Sequence, residues 1–309
     1  MRGASLAAAC IALLAADHAS SEPTPAAPAL GTASVTAARQ PADTRATVRR
    51  DLGVGIQELA FPDGSSYRGT VRDGVPHGHG TYEAALFRYE GDFDRGRKQG
   101  LGEYRWAHGD RYEGGFSDDQ PDGRGRYAFA NGDTYEGEVR RGEIRGHGRY
   151  RSAHGDEFEG DFAHGLPEGR GTVRFANGDR YDGEVHQGLL QGFGRYTTAA
   201  GDVIEAPFAR GRAAGIGTIR RANGEVYEGE IFASTATGQG VIRYADGARD
   251  QGAVRAGVPD GEGTLVLPGG ERFEGRFEGG PGRAEGYAVR ADGARMRARL
   301  RDGVVTALD

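Results

Sequence analysis

Eight histidines, three Asn-Gly dipeptides and one cysteine are the parts of this chain best equipped for chemistry. Imidazoles ligate transition metals and carry protons near neutral pH. The triplet Asn131-Gly132-Asp133 offers oxygens of the kind that hold calcium. Calcium, however, takes about six to eight converging oxygens, and one such triplet per repeat cannot supply them. Cys10 is the only thiol and stands in an apolar N-terminal stretch, so no intrachain disulfide can form and the rest of the chain has no thiol nucleophile. The sequence has no nucleophile elbow, no His-Glu-x-x-His zinc motif and no phosphate-cradling Gly-rich loop. It therefore predicts no catalytic residues, no metal ligands and no cofactor.

What positions these residues is a repeat. Alignment on Tyr67, Tyr89, Tyr112, Tyr135, Phe158, Tyr181, Ile204, Tyr227, Asp250 and Phe273 gives ten units, with a first step of 22 residues and every later step of 23. The first position is aromatic in eight of the ten units, and the fifth is always Val, Phe or Ile. Glycine holds the third position in nine units and the fourteenth in all ten, a register that chance does not keep.

Each unit predicts two short strands. Side chains alternate along a strand, so Tyr135, Gly137 and Val139 share a face, as do Gly148 and Tyr150 on the next strand. A ring laid over a neighbouring glycine would explain why the two always occur together. The other face carries acids such as Glu136, Glu138 and Glu159 on one strand and Arg149, Arg174 and Arg195 on the next. Cross-strand pairs of this kind contribute roughly 0.2–1 kcal/mol each and fix register. With strands about 4.8 Å apart, His79 and His147, in one slot three units apart, stand roughly 29 Å from each other and cannot share an ion. The Asn-Gly pairs at 131, 177 and 223 predict two-residue hairpin turns with positive φ. The other connection in each unit reads as more variable.

Over about residues 57 to 303 this pattern resembles the MORN repeat, Y-x-G-x-(F/W)-x-x-G-x-x-x-G-x-G-x-Y. The units at 204 and 250 depart from it at Ile204, Ala206 and Asp250, and the unit at 273 has Ala284 where glycine is expected. The resemblance implies an all-β fold, a single elongated antiparallel β-meander of about ten tandem hairpin repeats, with about twenty short strands and almost no helix after residue 56. It also implies a binding or scaffolding role. Because such repeats occur beside lipid kinases and at membranes, it raises a phospholipid-binding module as an alternative and an accessory to a lipid kinase or other enzyme as a third reading. No kinase domain fits in a chain that the repeats fill.

The flanks divide the chain further. Arg2, the apolar run Ala4–Ala16 and the small residues Ala19-Ser20-Ser21 read as a signal peptide over residues 1–21. Residues 22–55, rich in Ala, Pro, Thr and Ser, read as a disordered linker. The repeat sheet spans 56–303 and a C-terminal tail 304–309. This predicts an exported protein, periplasmic or extracellular, or one held at the envelope through an uncleaved leader. Composition narrows the partners. A net charge of −6, spread through the chain, argues against nucleic acid, and Lys98 as the only lysine leaves no polybasic cluster for anionic lipid. The reading that follows is a non-catalytic scaffold for an unknown protein partner, bound on an aromatic face at Tyr89, Tyr104, Trp106, Tyr112, Tyr127, Phe129 and Tyr135. At the ends, Arg297, Arg299 and Arg301 are expected to guard the C-terminal edge. Self-association is left to the N-terminal edge, Gln57 to Phe61, or to the aromatic face.

Overall fold

A computed structural model of the chain describes residues 46–51, 55–290, 292–301 and 304–308. The leader at 1–21, Cys10 and the linker up to residue 45 lie outside the described residues. The described residues form 25 strands and no helix, and the strands run as an antiparallel meander of consecutive hairpins. This is the all-β architecture that the repeat predicts. The strands fall into two compact units, one ending at Ala176 and the other beginning at Asn177, and the same hairpin recurs in each.

The hairpin of strands Thr134–Arg140 and Glu143–Arg151 represents the rest. Tyr150 faces Tyr135, Gly148 faces Gly137 and Arg149 faces Glu136, so rings and glycines share one face and charges the other, as the alternation predicts. The tip is a two-residue turn in which Arg141 and Gly142 both take positive φ, 51° and 79°. Equivalent tips pair Arg95 with Gly96 and His164 with Gly165.

The two-residue turn thus lies at the connection read as variable, and the Asn-Gly prediction is corrected. Of the dipeptide only Gly132 has positive φ, 92°. Phe129 N–H donates to Asp133 O at 2.9 Å, and Gly132 N–H to Phe129 O at 2.9 Å, closing a three-residue loop. The Asn131 side chain accepts from Asp133 N–H at 3.0 Å, which stabilises this loop rather than the tighter turn.

Repeats are joined at both ends of the strands. Gly142 N–H donates to Pro121 O of the preceding unit at 2.7 Å, and Gly165 N–H to Ile144 O at 3.1 Å. At the opposite end the third residue of the Asn-Gly-Asp triplet reaches the next unit. Asp133 Oδ1 accepts from Ala153 N–H at 2.8 Å, and Asp110, Asp156, Asp179 and Asp202 make the equivalent bond.

Three boundary expectations change. Strand Thr47–Asp51 lies within the stretch read as linker and pairs with Ile56–Ala60, so the supposed N-terminal edge is covered. Strand Val304–Ala307 lies in the stretch read as a tail and pairs with Arg295–Arg301, Arg299 facing Thr306. The arginine row therefore does not end the sheet, and Arg299 is held by Glu285 at 2.6 Å. These strands, with the return strand of the Ile204 unit split in two, carry the described total above the twenty expected.

Candidate functional site

The predicted aromatic face is one assembly, but it is not a surface. Tyr89, Tyr104, Tyr112, Tyr127 and Tyr135 are 0% exposed. They stand on consecutive strands, each facing the next across the ladder. Trp106 and Phe129 are half-buried at its margin, Trp106 against Tyr104 at 4.3 Å between centroids and Phe129 stacked on Tyr127 at 5.6 Å.

The burial has a local cause. Tyr89, Tyr112 and Tyr135 each lie over two glycines, one on the same strand and one on the next. A Cβ placed on Gly148 would stand 2.6 Å from the Tyr135 ring, closer than real Cβ atoms come. The Tyr135 hydroxyl donates to Glu138 O at 2.8 Å, and Tyr112 and Tyr181 make the same bond three residues on. The fifth-position ring then closes the row edge-on: Phe162 meets Tyr135 at 5.1 Å and Phe158 at 5.2 Å. Burial holds the hydroxyls of Tyr89, Tyr112 and Tyr135 far above the ordinary tyrosine range. These rings form the core of the repeat, and the expectation that they face a partner is corrected.

Sequence reasoning passed over two residues in this core. Lys98 occupies a slot that is proline or aliphatic elsewhere (Pro76, Pro121, Ile144), and it is fully buried. Its ammonium lies 5.0 Å from the Phe87 ring centre and 5.7 Å from those of Tyr89 and Tyr104, a cation–π cage. Asp119 Oδ1 stands 3.6 Å from the ammonium and also accepts the Lys98 backbone N–H at 2.9 Å. Burial lowers the ammonium's pKa, and Asp119 opposes that shift. The signal in the sequence was a lone lysine in an apolar repeat slot.

Asp250 is the second, in a first-position slot that is usually aromatic. It is 1% exposed, and neither carboxylate oxygen has a hydrogen-bond partner. Burial pushes its pKa up to about 7. The atoms nearest a Cβ at Gly252 are all backbone, whereas a Tyr in the first-position slot lies over the equivalent glycine elsewhere, as Tyr135 does over Gly137.

The face left to solvent is the charged ladder. Arg149 meets Glu159 at 2.9 Å, and Arg243 meets Glu228 at 2.8 Å. The expected pairing of acid with arginine fails where Glu90, Glu103 and Glu113 face one another and so do Arg88, Arg105 and Arg111. Charge is balanced there along and diagonally between strands, Arg88 to Glu90 at 2.9 Å and Arg111 to Glu103 at 2.8 Å. The histidines are spread out, and five of them lie beside an acid, among them His79 by Asp92, His147 by Asp161 and His164 by Glu143. Among the described residues no three His, Cys, Asp or Glu side chains are placed to hold a metal. A groove of about 580 Å³ on this side is lined by Arg124, Glu138, Arg140, Arg145 and His164. Its Arg145 and His164 are both bonded to Glu143, at 2.7 and 2.9 Å.

Repeat geometry of this kind has a sequence counterpart. The MORN repeat profile matches residues 67–85, 89–111, 112–134, 135–157, 158–180, 181–203, 227–249 and 251–272, more than half of the chain. The chain belongs to the MORN repeat family. The two units that the profile passes over begin at Ile204 and Phe273, where the sequence loses its ring-and-glycine pattern or its twelfth-position glycine. No curated protein matches the MORN chain. Solved structures with some likeness include the TCP domain of SAS-4 from Drosophila melanogaster in complex with a proline-rich motif of Ana2. It shares 17% identity, over 51% of this chain and 86% of that one, with a TM-score of 0.33. The TCP10 domain of Danio rerio CPAP in complex with a STIL peptide shares 12% identity, over 84% and 98%, at 0.35. A virginiamycin B lyase from Staphylococcus aureus shares 10%, over 81% and 82%, at 0.14. At these scores no functional reading is taken from them.

Proposed function

We propose that this MORN chain is a non-catalytic scaffold for a protein partner, that it works outside the cytoplasm, and that it recognises that partner through the ladder face. The observation that carries this reading is the complete burial of the tyrosine row, with the Tyr89, Tyr112 and Tyr135 hydroxyls bonded within the repeat itself. Side chains with free reach lie on the opposite face, where a regular array of charges offers specificity and register to an extended partner. The leader pattern at residues 1–21 supports the location.

Chemical crosslinking of the chain in its native envelope, followed by hydrogen exchange on the captured complex, tests the proposal. Protection on the ladder strands by a protein partner is the expected result. A chain that stays in the cytoplasmic fraction with its leader intact would overturn the location. Flotation with anionic vesicles and no protein partner would replace the scaffold with the phospholipid reading.

A further inference from the structure

In the second compact unit an apolar stripe interrupts the charged ladder over three successive strands. In the inner charged row, five of the ten units set an acid at the fourth position, and Asp92 and Asp161 there pair with His79 and His147 at the thirteenth. Three successive strands depart together: Phe193, Pro207 and Ile216 stand where charges would. Phe193 faces Pro207 across the ladder, and Ala214 N–H bonds Pro207 O at 2.9 Å, which brings Ile216 alongside. Phe193 is 57% exposed and Ile216 69%, so these side chains give little to the core. Acids bracket the stripe. Glu184 stands across the hairpin from Phe193, where the bulge at Gly192 widens it, and Glu230 faces Ile216. Neither carboxylate has a basic partner among the described residues, whereas the next row is closed by Arg195 to Glu205 at 3.5 Å and Arg243 to Glu228 at 2.8 Å.

We infer that this stripe docks an extended segment of a partner protein with the pattern basic, spacer, apolar, spacer, apolar, spacer, basic. The inference rests on the scaffold reading and names its contact. The spacing sets the pattern. From Glu184 to Glu230 is four strand steps, about 19 Å at about 4.8 Å each. An extended chain advances about 3.3 Å per residue and presents alternate side chains to one face, so six residues span about 20 Å. Basic groups at the two ends then reach Glu184 and Glu230 while two apolar side chains cover Phe193, Pro207 and Ile216. Charge complementarity selects this occupant over an acidic segment, and the exposed rings supply the apolar contact that a charged ladder lacks.

The test uses the full chain and a labelled heptapeptide with lysine at both ends, leucine at its third and fifth positions and serine elsewhere. A control of the same composition carries its lysines together at one end. Fluorescence anisotropy should show binding to the wild type at least about tenfold tighter than the control. Phe193→Ser with Ile216→Ser should abolish it, and Glu184→Gln with Glu230→Gln should weaken it about tenfold and flatten its salt dependence. Thermal midpoints of both double variants should stay near wild type, since all four side chains are exposed. Equal affinity for peptide and control, or for wild type and the serine variant, would overturn the assignment. So would a wild-type dimer that the serine variant converts to a monomer, or vesicle flotation that depends on Phe193 and Ile216. Crosslinking of a partner equally well by the serine variant would reject this stripe and leave the scaffold reading in place.

Discussion

At the scale of single residues, two buried ionisable groups set themselves apart from the repeat. Asp250 lies between Ile242 and Leu265 on neighbouring strands, with the Tyr244 hydroxyl, itself unpartnered, as the nearby polar group. Its folded pKa is raised from 3.8 to about 7. The neutral form is therefore favoured in the folded state, and the contribution is largest in acid. It is fully present below the unfolded value and is lost as pH rises toward 7. Between about pH 4 and 7 the second unit should lose on the order of 2–4 kcal/mol from this group. Asp250→Asn should flatten that slope in a pH series of denaturant melts; an unchanged slope would place the titration elsewhere. Lys98 makes the opposite case, a charge with its counter-charge in place. Removing Asp119 leaves a buried cation alone and should destabilise by about 3 kcal/mol, while Lys98→Met keeps the volume, removes the charge and should change stability by less than about 1 kcal/mol. Equal losses in the two variants would mean that the ammonium itself, held by its rings, is the stabilising element.

At the scale of the hairpin, the close approach of ring and glycine decides what can change. A side chain at Gly148 must displace the Tyr135 ring, whereas Arg149 on the same strand points to solvent and meets Glu159. Gly148→Val should lower stability by about 2–3 kcal/mol and Arg149→Val by less than about 1 kcal/mol, compared by thermal melts. Equal losses would refute the assignment of faces. This much was legible in the sequence, because a period of two puts Tyr135, Gly137 and Val139 on one side and Glu136 and Glu138 on the other. The turns were less legible. Asn131-Gly132 carries the residues of a tight turn, yet Asn131 spends its side chain on Asp133. The true tight tips mostly put glycine second, as in Arg141-Gly142, but Asp118-Asp119 and Ala233-Ser234 adopt positive φ without any glycine. There the registered strands on either side impose the geometry on whatever residues lie between. Nor could the sequence tell a ring that covers glycine from a ring that faces a partner. Both use the same residues, and the hydroxyl bond from Tyr135 to the Glu138 carbonyl that separates them leaves no mark in side-chain identity.

At the scale of the whole molecule, a tandem array is as strong as its neighbour-to-neighbour bonds. Tip contacts recur in both units and aspartate caps run from Asp110 to Asp202, so the array should open where an internal hairpin fails while those joins remain. In the second unit that place is the repeat beginning at Ile204. Ile204 has no ring to lay over Gly217, and Ala206 stands where glycine belongs, its Cβ 2.6 Å from the site a Gly217 Cβ would take. The return strand is broken into Arg212–Ala213 and Gly215–Arg220, and only Val203, Ile204 and Glu205 pair with the longer piece. With fewer ladder bonds and no roofing ring, this hairpin should open locally before its neighbours. Hydrogen exchange should show faster amides over 203–220 than over 180–197, where Tyr181 covers Gly183 and Gly194. Ile204→Tyr together with Ala206→Gly rebuilds the missing pair and should slow exchange in that hairpin by about tenfold, the equivalent of about 1.4 kcal/mol. Uniform protection across 180–220 in the wild type would mean that the joins alone hold the repeats, and that the rings matter to register more than to strength.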